Sequence, residues 1–172
     1  MRIQCPEHPA RSSSSRTFCS LNYVASIMQP LVQLLPRWVA EGTELLPPEP
    51  REAVKQVFSS LGSIATADVL SLYTTMGGMR VMDNEYWRLW PLDEIADQTP
   101  SEFGVVFSDY CISCWEYRLK PVTSSHSAVY VDHFNGSTPT MVAATLEEFF
   151  NSYVNSARAL LDGGSLNSKG DA

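Results

Sequence analysis

The stretch Tyr86-Trp87-Arg88-Leu89-Trp90-Pro91-Leu92-Asp93-Glu94-Ile95 carries two of the four tryptophans and changes character at Pro91. Tyr86 to Trp90 reads as a short strand, because aromatic and branched side chains suit a pleated, half-buried surface. Proline suits a first helical turn, and Asp93 and Glu94 fall where a helix N-terminus favours negative charge. Leu92 and Ile95 would share one face of that turn. The expectation is a strand handing over to a short acidic helix. Leu89, Leu92 and Ile95 anchor inward, and Trp87 or a neighbour is left outward.

Helical patterns come before it. Ile27, Met28, Leu31, Leu34, Leu35, Trp38 and Val39 recur at helical spacing, Gly42 supplies a stop, and Pro36 is expected to kink or divide the helix. Leu46 to Pro50 is a proline-rich connector. Pro50 opens a second helix with Ala53, Val54, Val57, Phe58 and Leu61 inward and Gly62 at its end. Thr66 is the expected cap of a third helix carrying Val69, Leu70 and Tyr73, closed by Gly77-Gly78. Residues 1–26, with the Ser12–Ser15 run between arginines, are expected to be a loosely ordered leader. Met28 is a second candidate start. Ser20, Asn22 and Ser26 interrupt the apolar run that a signal peptide would need.

Strand patterns follow. Gly104 to Phe107 is a short apolar run. Tyr110 to Leu119 alternates as one strand, with Tyr110, Ile112, Cys114 and Glu116 on one face and Cys111, Ser113, Trp115, Tyr117 and Leu119 on the other. Pro121 to Ser125 breaks the pattern, Ala128 to Asp132 resumes it, Asn135-Gly136 is a turn signal, and Thr140 to Ala143 adds a last short strand. Thr145 and Glu148 have the spacing of a capping box. The apolar stripe behind them begins at Leu146 and ends at Leu161, before Gly163-Gly164. Residues 163–172 are expected to be a disordered tail. The pattern predicts a single α+β domain over 27–162.

The 172 residues are 44% hydrophobic and 18% charged, as in a globular chain. No apolar run approaches the about 20 residues that span a bilayer, so no membrane partner is expected and the cytoplasm is the expected location. Net charge is −7, but it is uneven. Residues 1–28 carry Arg2, Arg11 and Arg16 against Glu7, or +2, which leaves −9 on the rest. That charge disfavours direct nucleic-acid binding, which needs lysine and arginine on phosphates. It suits a basic protein partner.

Cys111-Ile112-Ser113-Cys114 has the spacing of a redox pair or half a zinc site. On one alternating strand, however, the two thiols would point to opposite faces, and Cys5, His8 and Cys19 lie in the leader. Structural cysteines are expected, with no disulfide framework and no metal; a thiol- or zinc-dependent enzyme using this pair is the alternative. His126 and His133 flank the strand ending at Asp132. A histidine near a carboxylate can be a general base, but neither a nucleophile elbow nor a phosphate-binding loop accompanies them. No catalytic residue or cofactor is expected. Rings and carboxylates do interleave, and exposed Trp or Tyr beside acidic groups builds a binding hot spot. The expected contact residues are Trp87, Asp109, Trp115, Glu116, Tyr117 and Asp132.

The order of the pieces resembles the SUKH superfamily, the Smi/Knr-like proteins. Leu72-Tyr73-Thr74-Thr75-Met76-Gly77-Gly78 is followed by Arg88-Leu89-Trp90-Pro91-Leu92-Asp93-Glu94-Ile95. Val106-Phe107-Ser108-Asp109-Tyr110 then leads through Ser113-Cys114-Trp115-Glu116-Tyr117 to Val129-Tyr130-Val131-Asp132. Ala144-Thr145-Leu146-Glu147-Glu148-Phe149-Phe150 is similar to the start of that family's closing helix. The similarity runs over residues 50–161 and does not include the cysteines. It implies helices packed around one mostly antiparallel, strongly curved sheet. It also implies a non-enzymatic role: an immunity protein that binds and neutralises a toxin, whose contacting domain the charge balance expects to be basic, or a regulatory scaffold of cell-wall synthesis.

Overall fold

Five antiparallel strands hydrogen-bond to one another in simple chain order. They are β1 (Trp87–Leu89), β2 (Val105–Tyr110), β3 (Trp115–Pro121), β4 (Ser127–Asp132) and β5 (Thr140–Ala143). The computed structural model describes residues 29–161, so the expectations for the leader, for Ile27 and Met28, and for Gly163-Gly164 and the tail lie outside the described residues. Helix α1 covers 29–40. It is followed by α2 (Arg51–Ser60), α3 (Ala67–Tyr73), α4 (Leu92–Ala96) and α5 (Leu146–Ser156), which runs on into a 3-10 turn, Ala157–Leu160. The register slips between Val106 and Ser108 and again between Val129 and Tyr130. Such bulges bend a strand and increase its twist, which curves the open sheet. The protein is thus a single α+β domain, and among its described residues no helix is long and apolar enough to cross a membrane.

One sheet face is the core. Trp87 and Tyr117 pack there as a tilted pair at 4.6 Å between centroids, and Tyr153 and Phe149 of α5 meet Trp87 at 5.6 and 6.0 Å. Leu89, Leu92 and Ile95 all point inward, as the strand-to-helix junction at Pro91 requires. Thr145 caps α5 by accepting from the Glu148 N–H at 3.1 Å, and the Glu148 carboxylate answers at the Ala144 N–H, 2.8 Å. The capping box therefore closes one residue earlier than its usual form. Beneath α5, the buried Asp83 carboxylate accepts from Trp38 Nε1 (2.9 Å), from the Tyr153 hydroxyl, and from the Glu85 and Trp87 N–H groups at 2.9 Å each. One side chain thereby ties α1, α5 and the entry to β1.

Four local expectations are corrected. Helix α1 runs through Pro36 without a break. Pro36 and Val32 are both exposed, so water can replace the hydrogen bond that proline cannot donate. Thr66 occupies the cap position of α3 but makes no capping bond; its hydroxyl serves the buried Asp68 and lies 2.8 Å from Ser127 Oγ. Gly77-Gly78 does not end α3, which stops at Tyr73. Its glycines let the chain pass between two backbones. A Cβ on Gly77 would lie 2.2 Å from the Pro47 carbonyl oxygen, and one on Gly78 would lie 2.8 Å from Pro91 N.

The largest correction is at 110–119, which is a hairpin rather than one strand. β2 ends at Tyr110, residues 111–114 turn, and β3 begins at Trp115. Tyr110 pairs with Trp115, so it shares a face with Trp115 and Tyr117 rather than with Glu116. Cys111, Ile112 and Ser113 all take positive φ, at 52°, 57° and 56°. A left-handed conformation costs about 1–2 kcal/mol for each residue with a side chain, so this turn must be held by bonds elsewhere.

Gly104 enters β2 at φ +104°, and a Cβ there would lie 2.0 Å from the Leu119 carbonyl oxygen. Gly104→Ala should therefore cost roughly 2–4 kcal/mol of stability, from clash and backbone strain together. Gly136→Ala, at φ +84° with open space around it, should lose no more than about 1–2 kcal/mol from the left-handed backbone alone. Thermal unfolding of the pair checks the difference; equal losses would mean that the close approach at Gly104 does not exist.

Candidate protein-binding surface

The face of the sheet opposite the core carries a row of charge. The register sets Arg88 opposite Asp109, Asp109 opposite Glu116, and Glu116 opposite Asp132, across β1 to β4. Cross-strand partners are the units that interact on a sheet face. The two ends of this row behave differently.

At the β1–β2 end the row is a structural hub. Asp109 is 1% exposed. It accepts from Arg88 Nε at 3.1 Å and Trp90 Nε1 at 2.8 Å, and from the Ser113 N–H at 2.9 Å. Arg88 also holds Glu94 of α4 at 2.9 Å, and its guanidinium lies over the Trp90 ring, 5.6 Å from the centroid. These two carboxylates raise the Arg88 pKa against the opposing effect of burial. Asp109 is what holds the left-handed turn, helped by the Cys111 N–H donating to the Tyr86 carbonyl at 2.9 Å.

At the β3–β4 end the charge is only partly compensated. Glu116 and Asp132 share one guanidinium, that of Arg118, at 2.8 and 3.8 Å. Partial burial, outweighing the Arg118 charge, holds the Glu116 carboxyl above its ordinary range, and the like charges of Asp132 and Asp109 add to this. Both side chains keep a solvent-facing edge, at 16% and 20% exposure.

The contact residues expected from sequence therefore divide. Trp87 and Tyr117 are core residues, 3% and 0% exposed, and Asp109 is enclosed, so none of these can meet a partner. Trp115, Glu116 and Asp132 stay half-buried and accessible. Trp115 stacks on Tyr110 at 5.3 Å and meets the His133 ring edge-on at 4.8 Å, at the rim of the sheet. His126 is tied to Thr123 at 3.0 Å in the loop before β4, at the far end of that strand from His133. No catalytic pairing joins the two histidines.

Three further residues were missed. Tyr86, Ile112 and Phe134 are 63%, 84% and 55% exposed. Because the sheet is a meander, the entry to β1, the β2–β3 turn and the exit of β4 all fall at one end of it. Each of the three carries positive φ, at 66°, 57° and 51°, which turns the side chain away from the regular pleat. Sequence offers one signal for them: each is a large side chain just outside a strand, Tyr86 directly before β1, Ile112 inside the β2–β3 turn and Phe134 two residues past β4.

Cys111 and Cys114 also sit at this end, both exposed, on the turn and not inside a strand. The argument that they point to opposite faces does not apply to them. Slight desolvation and the neighbouring Cys111 sulfur push the Cys114 thiol above its ordinary value, the opposite of nucleophile activation. Among the described residues no three His, Cys, Asp or Glu side chains gather as a metal site. No protein-family model matches the chain, and none of the curated proteins matches it as a relative.

Proposed function

We propose that this protein is a non-enzymatic protein-binding domain of the SUKH kind, acting in the cytoplasm as an immunity protein that neutralises a basic toxin domain. The carrying observation is the sheet end where exposed Tyr86, Ile112 and Phe134 flank the undercompensated Glu116–Asp132 pair. Single exposed apolar side chains are ordinary, but three on neighbouring loops beside half-buried carboxylates match the composition of a contact patch. Burying each apolar group is worth roughly 1.5–3 kcal/mol before the cost of association is subtracted. A lysine or arginine of the partner completes the charge balance that Arg118 leaves short. The −9 body steers its approach. The single curved antiparallel sheet agrees with the architecture that the resemblance implies.

Co-expression with the toxic domain encoded beside this gene should restore growth, and the purified pair should bind. Neutralisation of both charges, Glu116→Gln with Asp132→Asn, should weaken that binding about tenfold or more and flatten its salt dependence, while amide oxygens can still accept from Arg118 and thermal unfolding confirms that the fold is kept. Binding a cation lowers the raised Glu116 pKa, so complex formation releases protons and weakens as the solution is acidified. Unchanged affinity in the double variant overturns the surface. A chain that neither binds nor protects against the neighbouring toxin, or that has no toxin gene beside it, overturns the immunity reading in favour of a regulatory scaffold.

A further inference from the structure

We propose that Cys111 and Cys114 form a reversible intramolecular disulfide by exchange with a low-molecular-weight disulfide, making the β2–β3 turn a thiol modification site. The register carries the argument. Tyr110 pairs with Trp115 and closes a four-residue turn whose first and last residues are Cys111 and Cys114. The Cys114 N–H donates to the Tyr110 carbonyl at 3.1 Å and holds the turn closed at that step. The first and last residues of a four-residue turn have Cα atoms within about 7 Å, a span that overlaps the roughly 4.4–6.8 Å range of disulfides. Both side chains are exposed, so a small disulfide can reach them.

The exchange balances. The Cys111 thiolate attacks one sulfur of oxidised glutathione and expels one glutathione thiolate, leaving a mixed disulfide on Cys111. Cys114 then loses its proton and attacks the Cys111 sulfur, expelling the second glutathione thiolate. The two cysteine thiols are oxidised, one glutathione disulfide is reduced, and the two protons end on the two glutathione thiols. Cys114 lies on the same four-residue turn as Cys111, so its attack on the mixed disulfide is intramolecular. Exposed bridges on short turns are the reducible kind, as a reversible mark requires. This inference does not depend on the identity of any partner of the sheet.

The test is peptide mapping of the folded full-length chain, carrying Cys5→Ser and Cys19→Ser, after equilibration with reduced and oxidised glutathione. A Cys111–Cys114 bridge that forms as the oxidised fraction rises, and disappears with excess reduced glutathione, is the expected result. Cys114→Ser should instead accumulate the Cys111–glutathione adduct. Stable glutathione adducts on both cysteines of the unaltered turn would overturn the proposal. So would free thiols at every ratio, or a bridge that forms only in denaturant.

Discussion

Asp109→Ala should cost the fold about 3–5 kcal/mol, because removing one partner of a buried ion pair strands the other. Three donors lose their acceptor together: Arg88 Nε, Trp90 Nε1 and the Ser113 N–H. The first two belong to the junction that joins the helices to the sheet, and the third holds a turn already strained at three residues. Asp109→Asn separates these contributions. An amide oxygen can still accept from Arg88 and Trp90, but the amide nitrogen then faces the Ser113 N–H, so the turn is lost while the junction is largely kept. Denaturant unfolding should rank wild type above Asn and Asn above Ala. A loss under about 1 kcal/mol for Ala would mean that the carboxylate is a surface group after all.

Asp83→Ala should be as damaging, by about 3–5 kcal/mol, or on the order of 10 °C in midpoint for a chain of this size. Four donors converge on that carboxylate, two of them the backbone N–H groups of Glu85 and Trp87. Asp83 is 5% exposed, so water cannot easily take its place. Trp38→Phe removes one donor and leaves three bonds in place. It should lose only about 1–2 kcal/mol, and the gap between the two variants measures the network. Near-equal losses would show that packing of α1, not the carboxylate, holds this corner.

The joint at Pro91 was legible because strand chemistry, proline and helix-dipole charge all point the same way over ten residues. The α5 stripe and its cap were legible for the same reason: local preference agrees with the tertiary structure. The hairpin at 111–114 was not. Its residues are Cys, Ile, Ser and Cys, without the glycine, asparagine, aspartate or proline that ordinarily marks a turn, and an isoleucine in left-handed backbone is rare. What sustains it is Asp109, a residue outside the turn whose other partners lie about twenty positions earlier in the chain. Such a long-range cause leaves no local trace. The same aspartate was mistaken for a contact group because its charge suggested a surface position; pairing with Arg88 and Trp90 is what allows it inside. Within the candidate surface, the carboxylates Glu116 and Asp132 were singled out by the interleaving of rings and acidic groups, whereas the alternation put Tyr110 on the wrong face. The apolar rim of Tyr86, Ile112 and Phe134 required the meander to bring three separate loops to one end.

Carboxyl footprinting of the free and partner-bound chain tests the central claim most directly, since carbodiimide labelling reads each acidic side chain separately. The account predicts that labelling of Glu116 and Asp132 falls several-fold in the complex, while Glu52 on α2, 80% exposed at its side chain, labels equally in both states. Undiminished labelling of Glu116 and Asp132 in a complex shown to be fully formed would place the partner elsewhere and contradict it.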